Sequence, residues 1–295
     1  MRTTPSSNHR TRSTHLPLAL ALVGALAAGC GEDTGQGNGT LVLHLTDAPF
    51  PFAMVASTQV EIDSVAVRIE GASNGTGGFV TLDRTPYTVD LLELRNGVTF
   101  QLASSDVPAG SLDEIRVYTG DATVTLIDDR TFPLKFPSGS SSGVKVLVSP
   151  PIEIGDGETV EALLDYDLSQ SFSAQPASPT KVDDIMGFHF HPVLRVTNLR
   201  DVGAVSGTIG DDRGTPLSTL DDTPLPGAAI LVTQGPAEIT SSVSDGNGRY
   251  VVLGLPPGNY TVTASRPGYL AAAAAVTVTA ANESAGVDLL MTALP

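Results

Sequence analysis

Apolar and polar residues alternate with period two along most of the chain, the pattern of strands with one buried and one wet face. Leu41, Leu43 and Leu45 alternate with Val42 and His44, and over 60–69 the side chains of Val65, Val67 and Ile69 share a face. Further strands are expected over 98–102, 114–118, 122–127, 144–148, 160–168 and 193–196, separated by Gly, Pro, Ser and Asp. The single helical stretch is short, near 90–96, where Leu91, Leu92 and Leu94 precede the Asn96-Gly97 turn signal. The Ser-, Pro- and Ala-rich stretch 169–184 has no apolar period and reads as an exposed loop.

From Gly203 a second rhythm begins. Strands are expected over 205–209, 229–232, 239–244, 249–253, 259–265, 272–279 and 286–291, which suits a small seven-stranded sandwich. Tyr260, Val262 and Ala264 point one way and Thr261, Thr263 and Ser265 the other. Asp245-Gly246-Asn247-Gly248 reads as a type I′ hairpin turn, and Pro256-Pro257-Gly258 as another tight turn. The expected fold is therefore mostly β, with an antiparallel sandwich-like domain over 39–198 and an immunoglobulin- or transthyretin-like sandwich over 203–292.

The N-terminus breaks this pattern. Arg2, Arg10 and Arg12, with no acid among them, precede an apolar stretch over 16–28 that Pro17 and Gly24 interrupt. A spanning helix needs about 20 apolar residues, so a stretch this short reads as a signal peptide over 1–29. It ends in Leu26-Ala27-Ala28-Gly29-Cys30, which resembles a lipobox, with Ala27 where leucine is usual. Small residues admit the signal peptidase, and the cysteine thiol accepts the lipid. Cys30 is the single cysteine of the chain and has no disulfide partner within it, so lipidation explains it better than structure does. Residues 30–38, acidic and Gly-rich, read as a flexible tether. The expected location is the cell envelope, with a palmitate-type anchor in the membrane. Gly31 stands where aspartate retains enteric lipoproteins in the inner membrane, which points to the outer membrane or the cell surface.

Charge narrows the partners. Past the signal peptide, 13 basic residues face 32 acidic ones, a formal charge of −19. Nucleic acid needs clustered Lys and Arg, whereas the three lysines, Lys135, Lys145 and Lys181, are widely spaced. The acidity reads as solubility. Aromatic content is 5% with no tryptophan, so stacking platforms for sugars are scarce, and Tyr250, Tyr260 and Tyr269 are the ones in the second domain.

Pro226-Gly227-Ala228, the run from Ser244 to Tyr250, Leu255-Pro256-Pro257-Gly258-Asn259-Tyr260 and Pro267-Gly268-Tyr269 resemble the carboxypeptidase regulatory-like, transthyretin-type family over 203–292. That family is a non-catalytic accessory sandwich, often grouped with carbohydrate-binding-like folds. The resemblance implies binding, spacing or stabilisation and no peptidase activity. Over about 39–198 the chain resembles bacterial lipoprotein domains catalogued as domain of unknown function 4382. The residues that carry it are the run Leu45 to Pro49, Leu91 to Leu94, Val107 to Gly110, Glu114-Ile115-Arg116, Pro137-Ser138-Gly139, Leu164 to Asp167 and Pro192 to Arg195.

Candidate chemistry is sparse. His189 and His191 flank Phe190 on an expected strand, so both imidazoles share a face, a spacing that zinc sites use. A third ligand would come from His44, Asp47 or the pair Asp165 and Asp167. Two strand histidines more often face solvent or hydrogen-bond. Asp165 and Asp167 share a face that would suit a divalent cation or an acid/base pair, or they form the wet half of an amphipathic strand whose other half is Leu164, Tyr166 and Leu168. A calcium ion at Asp245 and Asn247 competes with the simple turn. Gly139-Ser140-Ser141-Ser142-Gly143 matches the hydrolase nucleophile pattern, but that pattern needs a following helix where a strand is expected. The expectation is an envelope lipoprotein without catalytic residues or cofactor, with a binding or structural role at the membrane or cell surface and an unknown partner, a glycan or an envelope protein being the candidates. The rival readings are a metal-dependent hydrolase or metal-binding protein, and a carbohydrate-binding surface protein.

Overall fold

The computed structural model describes residues 37–48, 54–72, 78–134, 142–177, 179–213, 223–281, 283–284 and 286–295. The signal peptide, Cys30, most of the tether and Gly139 to Ser141 lie outside the described residues. Among the described residues the chain is nearly all β, and no helix is long and apolar enough to cross a membrane.

The first domain packs two sheets over one core. One sheet is built from β1 (Asn38–Ala48), β5 (Phe100–Pro108), β9 (Thr159–Asp167) and β12 (Leu194–Asn198), in the order β12-β9-β1-β5. β1 pairs antiparallel with β5 and parallel with β9, so the β9 side of this sheet is joined by a long crossover. The facing sheet is built on two long strands, β2 (Val55–Glu70) and β6 (Gly110–Leu126). β3 (Phe79–Asp83) and β4 (Tyr87–Asp90) pair with β2, while β7 (Thr131–Leu134) and β8 (Val144–Ile154) pair with β6. Leu41, Leu43 and Leu45 meet Val65, Val67 and Ile69 between the sheets, all buried, as the alternation requires. A small hairpin, β10 (Phe172–Gln175) with β11 (Gly187–Phe190), adds Phe172 and Phe190 to the same core.

Three sequence expectations take a different form here. The strands expected at 114–118 and 122–127 are one strand, β6, which runs through Gly120. A Cβ at Gly120 would lie 2.7 Å from Glu61 Oε2, so this glycine permits a close approach and is not a turn. The loop expected over 169–184 contains β10, because Phe172 and Ala174 alternate inward. The short helix near 90–96 forms as a 3-10 turn over Leu91–Leu94, capped by Asp90, which accepts from Leu92 N at 3.1 Å.

The second domain is a sandwich with its own core. One sheet centres on β13 (Gly203–Asp211), which pairs with β17 (Arg249–Leu255), with β14 (Thr223–Pro224) and, in parallel, with β20 (Glu283–Ser284) and β21 (Leu289–Met291). The other is built from β15 (Ala229–Gln234), β16 (Ala237–Val243), β18 (Gly258–Ser265) and β19 (Ala272–Val278), in the order β16-β15-β18-β19. Tyr260, Val262 and Ala264 of β18 are buried and Thr261 and Ser265 exposed, as expected. The turn at Asp245 is not type I′. Gly248 alone of its four residues has a positive φ, 75°, and Asp245 Oδ1 accepts from Asn247 N at 2.8 Å and from Arg249 N at 2.9 Å. This is a type I turn followed by a left-handed glycine, with the carboxylate used inside the turn.

Candidate functional site

The residues considered for metal binding are not gathered into one place. His189 lies exposed on β11 beside Gln175, and His191 lies exposed just past the end of that strand. His44 is half-buried on β1, its Nε2 3.7 Å from Glu161 Oε2. Asp47, Asp165 and Asp167 do become neighbours, because the parallel register sets Thr46, Asp47 and Ala48 against Asp165, Tyr166 and Asp167. Among the described residues no group of three or more His, Cys, Asp or Glu side chains is placed to hold a metal ion.

The aspartates are structural in a way the alternation did not show. Asp167 is buried, at 1% exposure, and is not the wet half of an amphipathic strand. Its carboxylate meets Arg195 Nη2 at 2.6 Å and caps the turn Leu168–Ser171 by accepting from Gln170 N at 3.1 Å. Asp47 is also buried. Its Oδ1 accepts from Leu168 N at a long 3.4 Å, and among the described residues neither its Oδ2 nor the hydroxyl of buried Tyr166 has a partner. Burial, then the nearby Asp165, pushes the Asp47 carboxyl well above the usual carboxylate range, and burial beside Asp47 pushes the Tyr166 phenol up. An acid in this setting favours its neutral form.

Around this buried acid lies a seam between the two domains. The Thr46 hydroxyl lies 3.1 Å from the carbonyl oxygens of both Leu94 and Val98, so it pins both ends of the turn that carries Asn96 and Gly97. Asn96 stands in the left-handed region at φ 62°, and Gly97 follows at φ 79°. That geometry lays the Asn96 amide along β17: its Oδ1 accepts from Val251 N at 2.6 Å, and its Nδ2 donates to Arg249 O at 3.3 Å. A Cβ on Gly97 would come within 2.7 Å of Val251 Cγ1, so only glycine allows the approach. A second arm comes from Arg195, which donates from Nη1 to Ile239 O at 2.8 Å while Asp167 holds its Nη2. Ile239 is the residue bulged out of the β15–β16 ladder, so its carbonyl is available. A cavity of about 20 Å³ remains in the seam, lined among others by Asp47, Asp165, Asn96 and Ser242. In the sequence Asn96-Gly97 is a turn signal and Arg195 carries no assigned role. Nothing in the one-dimensional pattern shows which turn will meet a second domain.

The tyrosines considered as a sugar platform are largely core. Tyr250 and Tyr260 are 0% and 4% exposed, their hydroxyls donating to Val287 O and Pro256 O at 2.7 Å each. Tyr269 is half-buried, its hydroxyl donating to Asp211 Oδ2 at 3.1 Å.

No curated protein matches the chain. Among solved structures it is similar to the Bacillus anthracis TIE protein, at 15% identity and a TM-score of 0.27, over 88% of this chain and 34% of that one. It thus spans about a third of that relative's length. It is also similar to GBS52, the minor pilin of Streptococcus agalactiae, at 11% identity and TM-score 0.27, covering 88% of this chain and 97% of that one. The shaft pilin SpaA of Lactobacillus rhamnosus GG gives 12% identity and TM-score 0.28, covering 88% and 98%. TM-scores this low do not indicate a shared whole-chain arrangement, and no role follows from them. Family models are more specific. Residues 38–182 match the domain of unknown function DUF4382, and residues 204–292 match the carboxypeptidase regulatory-like domain. The chain accordingly carries a DUF4382 domain followed by a carboxypeptidase regulatory-like domain.

Proposed function

We propose that the chain is a non-enzymatic lipoprotein of the cell envelope, acylated at Cys30 after removal of residues 1–29 and tethered through 30–38. Its domain over 39–198 is the binding half, and its domain over 203–292 is a stiff spacer and auxiliary support. The observation that carries this reading is the seam. Asn96 and Arg195 bond the first domain to backbone groups of β17 and β16, which couples two sandwiches by directional contacts and not by a loose linker alone. The lipobox-like run ending at Cys30 and the description of the second family as regulatory-like support the remainder. The outer membrane or cell surface is the proposed location. Intact mass measurement of membrane-extracted protein tests the anchor: the expected species begins at Cys30 and carries a diacylglyceryl group, and Cys30→Ala releases the protein from membranes. A species with a free thiol at position 30, or a variant that stays membrane-bound, refutes it.

A further inference from the structure

Only 13 Lys and Arg follow Cys30 in a chain with 32 acids, yet four of them meet on the outer side of the β2–β6 sheet. Cross-strand register shows the arrangement. Lys145, Arg116, Ala66 and Thr81 form one row across β8, β6, β2 and β3, and Glu114, Arg68 and Phe79 form the next. Arg84 follows β3 and lines the same concavity as Arg116. Directly paired residues share a face of the sheet.

Two of these arginines are held in place. Glu114 is buried, at 4% exposure, and its two oxygens take Arg116 Nε at 2.7 Å and Arg68 Nη1 at 3.0 Å. Asp113 grips Arg68 from the other side with two bonds of 2.8 and 3.0 Å. The Arg116 guanidinium lies 4.0 Å from the centre of the Phe79 ring. A carboxylate is tolerated in a buried position when it is paired, and here the pairing fixes a guanidinium against an aromatic face before any ligand arrives. Arg84 and Lys145, in contrast, form no ion pair among the described residues.

The concavity that Arg84 and Arg116 line has a volume of about 530 Å³, and Asp63, Ser64, Thr81 and Tyr118 complete its polar wall. That size falls in the range of roughly 300 to 1,000 Å³ usual for small-ligand sites. The acidity of the rest of the chain does not close it to an anion, since charges farther away than about 8 Å are largely screened at physiological ionic strength. The wall mixes cations, hydroxyls and one carboxylate. Inorganic phosphate would bring up to two negative charges against the Asp63 carboxylate and just one or two P–OH groups to offer it, whereas a sugar acid presents a single carboxylate for arginine and several neutral hydroxyls for the aspartate and the wall hydroxyls.

We propose that this concavity binds a uronate residue of an acidic polysaccharide, with Arg116 and Arg84 taking the carboxylate and Asp63, Ser64, Thr81 and Tyr118 taking ring hydroxyls. This deepens, and rests on, the reading of the first domain as the binding half. Calorimetric titration of the full chain with trigalacturonate, maltotriose and inorganic phosphate tests it. Saturable binding of trigalacturonate is expected, weaker by about tenfold or more for maltotriose and phosphate, a factor that corresponds to about 1.4 kcal/mol. Arg84→Glu should weaken trigalacturonate by at least about tenfold by reversing a charge at the site. Because Arg84 has no ion partner among the described residues, thermal unfolding of this variant should match the parent, and Arg116→Gln should give the same direction of change in binding. Absence of saturable trigalacturonate binding, equal affinity for maltotriose or phosphate, or an Arg84→Glu variant that binds as the parent overturns the proposal. The titration does not depend on Cys30, so a negative result leaves the anchoring reading standing.

Discussion

Replacing Asn96 by alanine isolates the seam. The substitution removes two hydrogen bonds to β17, at 2.6 and 3.3 Å, and places alanine, which disfavours the left-handed region, at φ 62°. Each hydrogen bond contributes about 1 kcal/mol net, and a left-handed residue other than Gly, Asn or Asp costs about 1 kcal/mol or more. The side chain is partly open to water, which recovers some of the lost bonding, so a loss of about 2 kcal/mol is expected overall. The sensitive probe is the Val251 amide, whose partner is Asn96 Oδ1. A local weakening of about 2 kcal/mol accelerates its hydrogen exchange by about thirtyfold. Asn96→Gly keeps the backbone conformation and should show most of that acceleration with a smaller fall in overall stability. Unchanged Val251 exchange in both variants would refute the idea that this side chain couples the domains.

Two further perturbations follow from the buried groups and the glycines. The Asp47 carboxyl is raised above its ordinary value mainly by burial, so its contribution to stability is fully present below about pH 4 and is lost as pH rises toward its folded value. Asp47→Asn should therefore stabilise the chain at neutral pH and give no gain near pH 3. Melting temperatures of both proteins from about pH 3 to about pH 8 check this, and parallel curves would count against it. Gly248→Ala places a Cβ 2.4 Å from Ile209 O at φ 75° and should cost about 1 to 3 kcal/mol in urea unfolding. Gly246→Ala, with no atom within 4 Å of the new Cβ, should stay within about 0.5 kcal/mol of the parent.

Strands with a single buried face were legible because their side chains alternate, and β1, β2 and β18 are of that kind. The strands that escaped are short or depend on neighbours. β10 shows just Phe172 and Ala174 as inward residues among polar ones, and its pairing with β11 supplies what the pattern lacks. Gly120 looked like a break because glycine is usually punctuation, yet here it makes room for Glu61. Asp167 looked wet because carboxylates usually are. Its burial depends on Arg195, 28 residues later, and on a register between β9 and β12 that alternation alone does not specify. The basic face was hidden for the same reason. Arg68, Arg84, Arg116 and Lys145 are far apart in sequence and meet only through cross-strand pairing.

The seam also meets two strand edges of the second domain. β17 ends one of its sheets and β16 ends the other, and an exposed edge is an open row of backbone donors and acceptors. The first domain reaches both: Asn96 takes Val251 N and Arg249 O on β17, and Arg195 takes Ile239 O on β16. Every second-domain partner in these bonds is a backbone atom, so side-chain changes at Val251, Arg249 or Ile239 leave the donors and acceptors in place. The side chains that specify the contact belong to the first domain, as do the groups that position them, Thr46 behind Asn96 and Asp167 behind Arg195. A covered edge cannot template pairing with another chain. Asn96 and Arg195 thus occupy backbone groups on the β17 and β16 edges, and those groups are not open to pair with another chain, whereas β19, the other edge of the β16 sheet, lies outside these bonds.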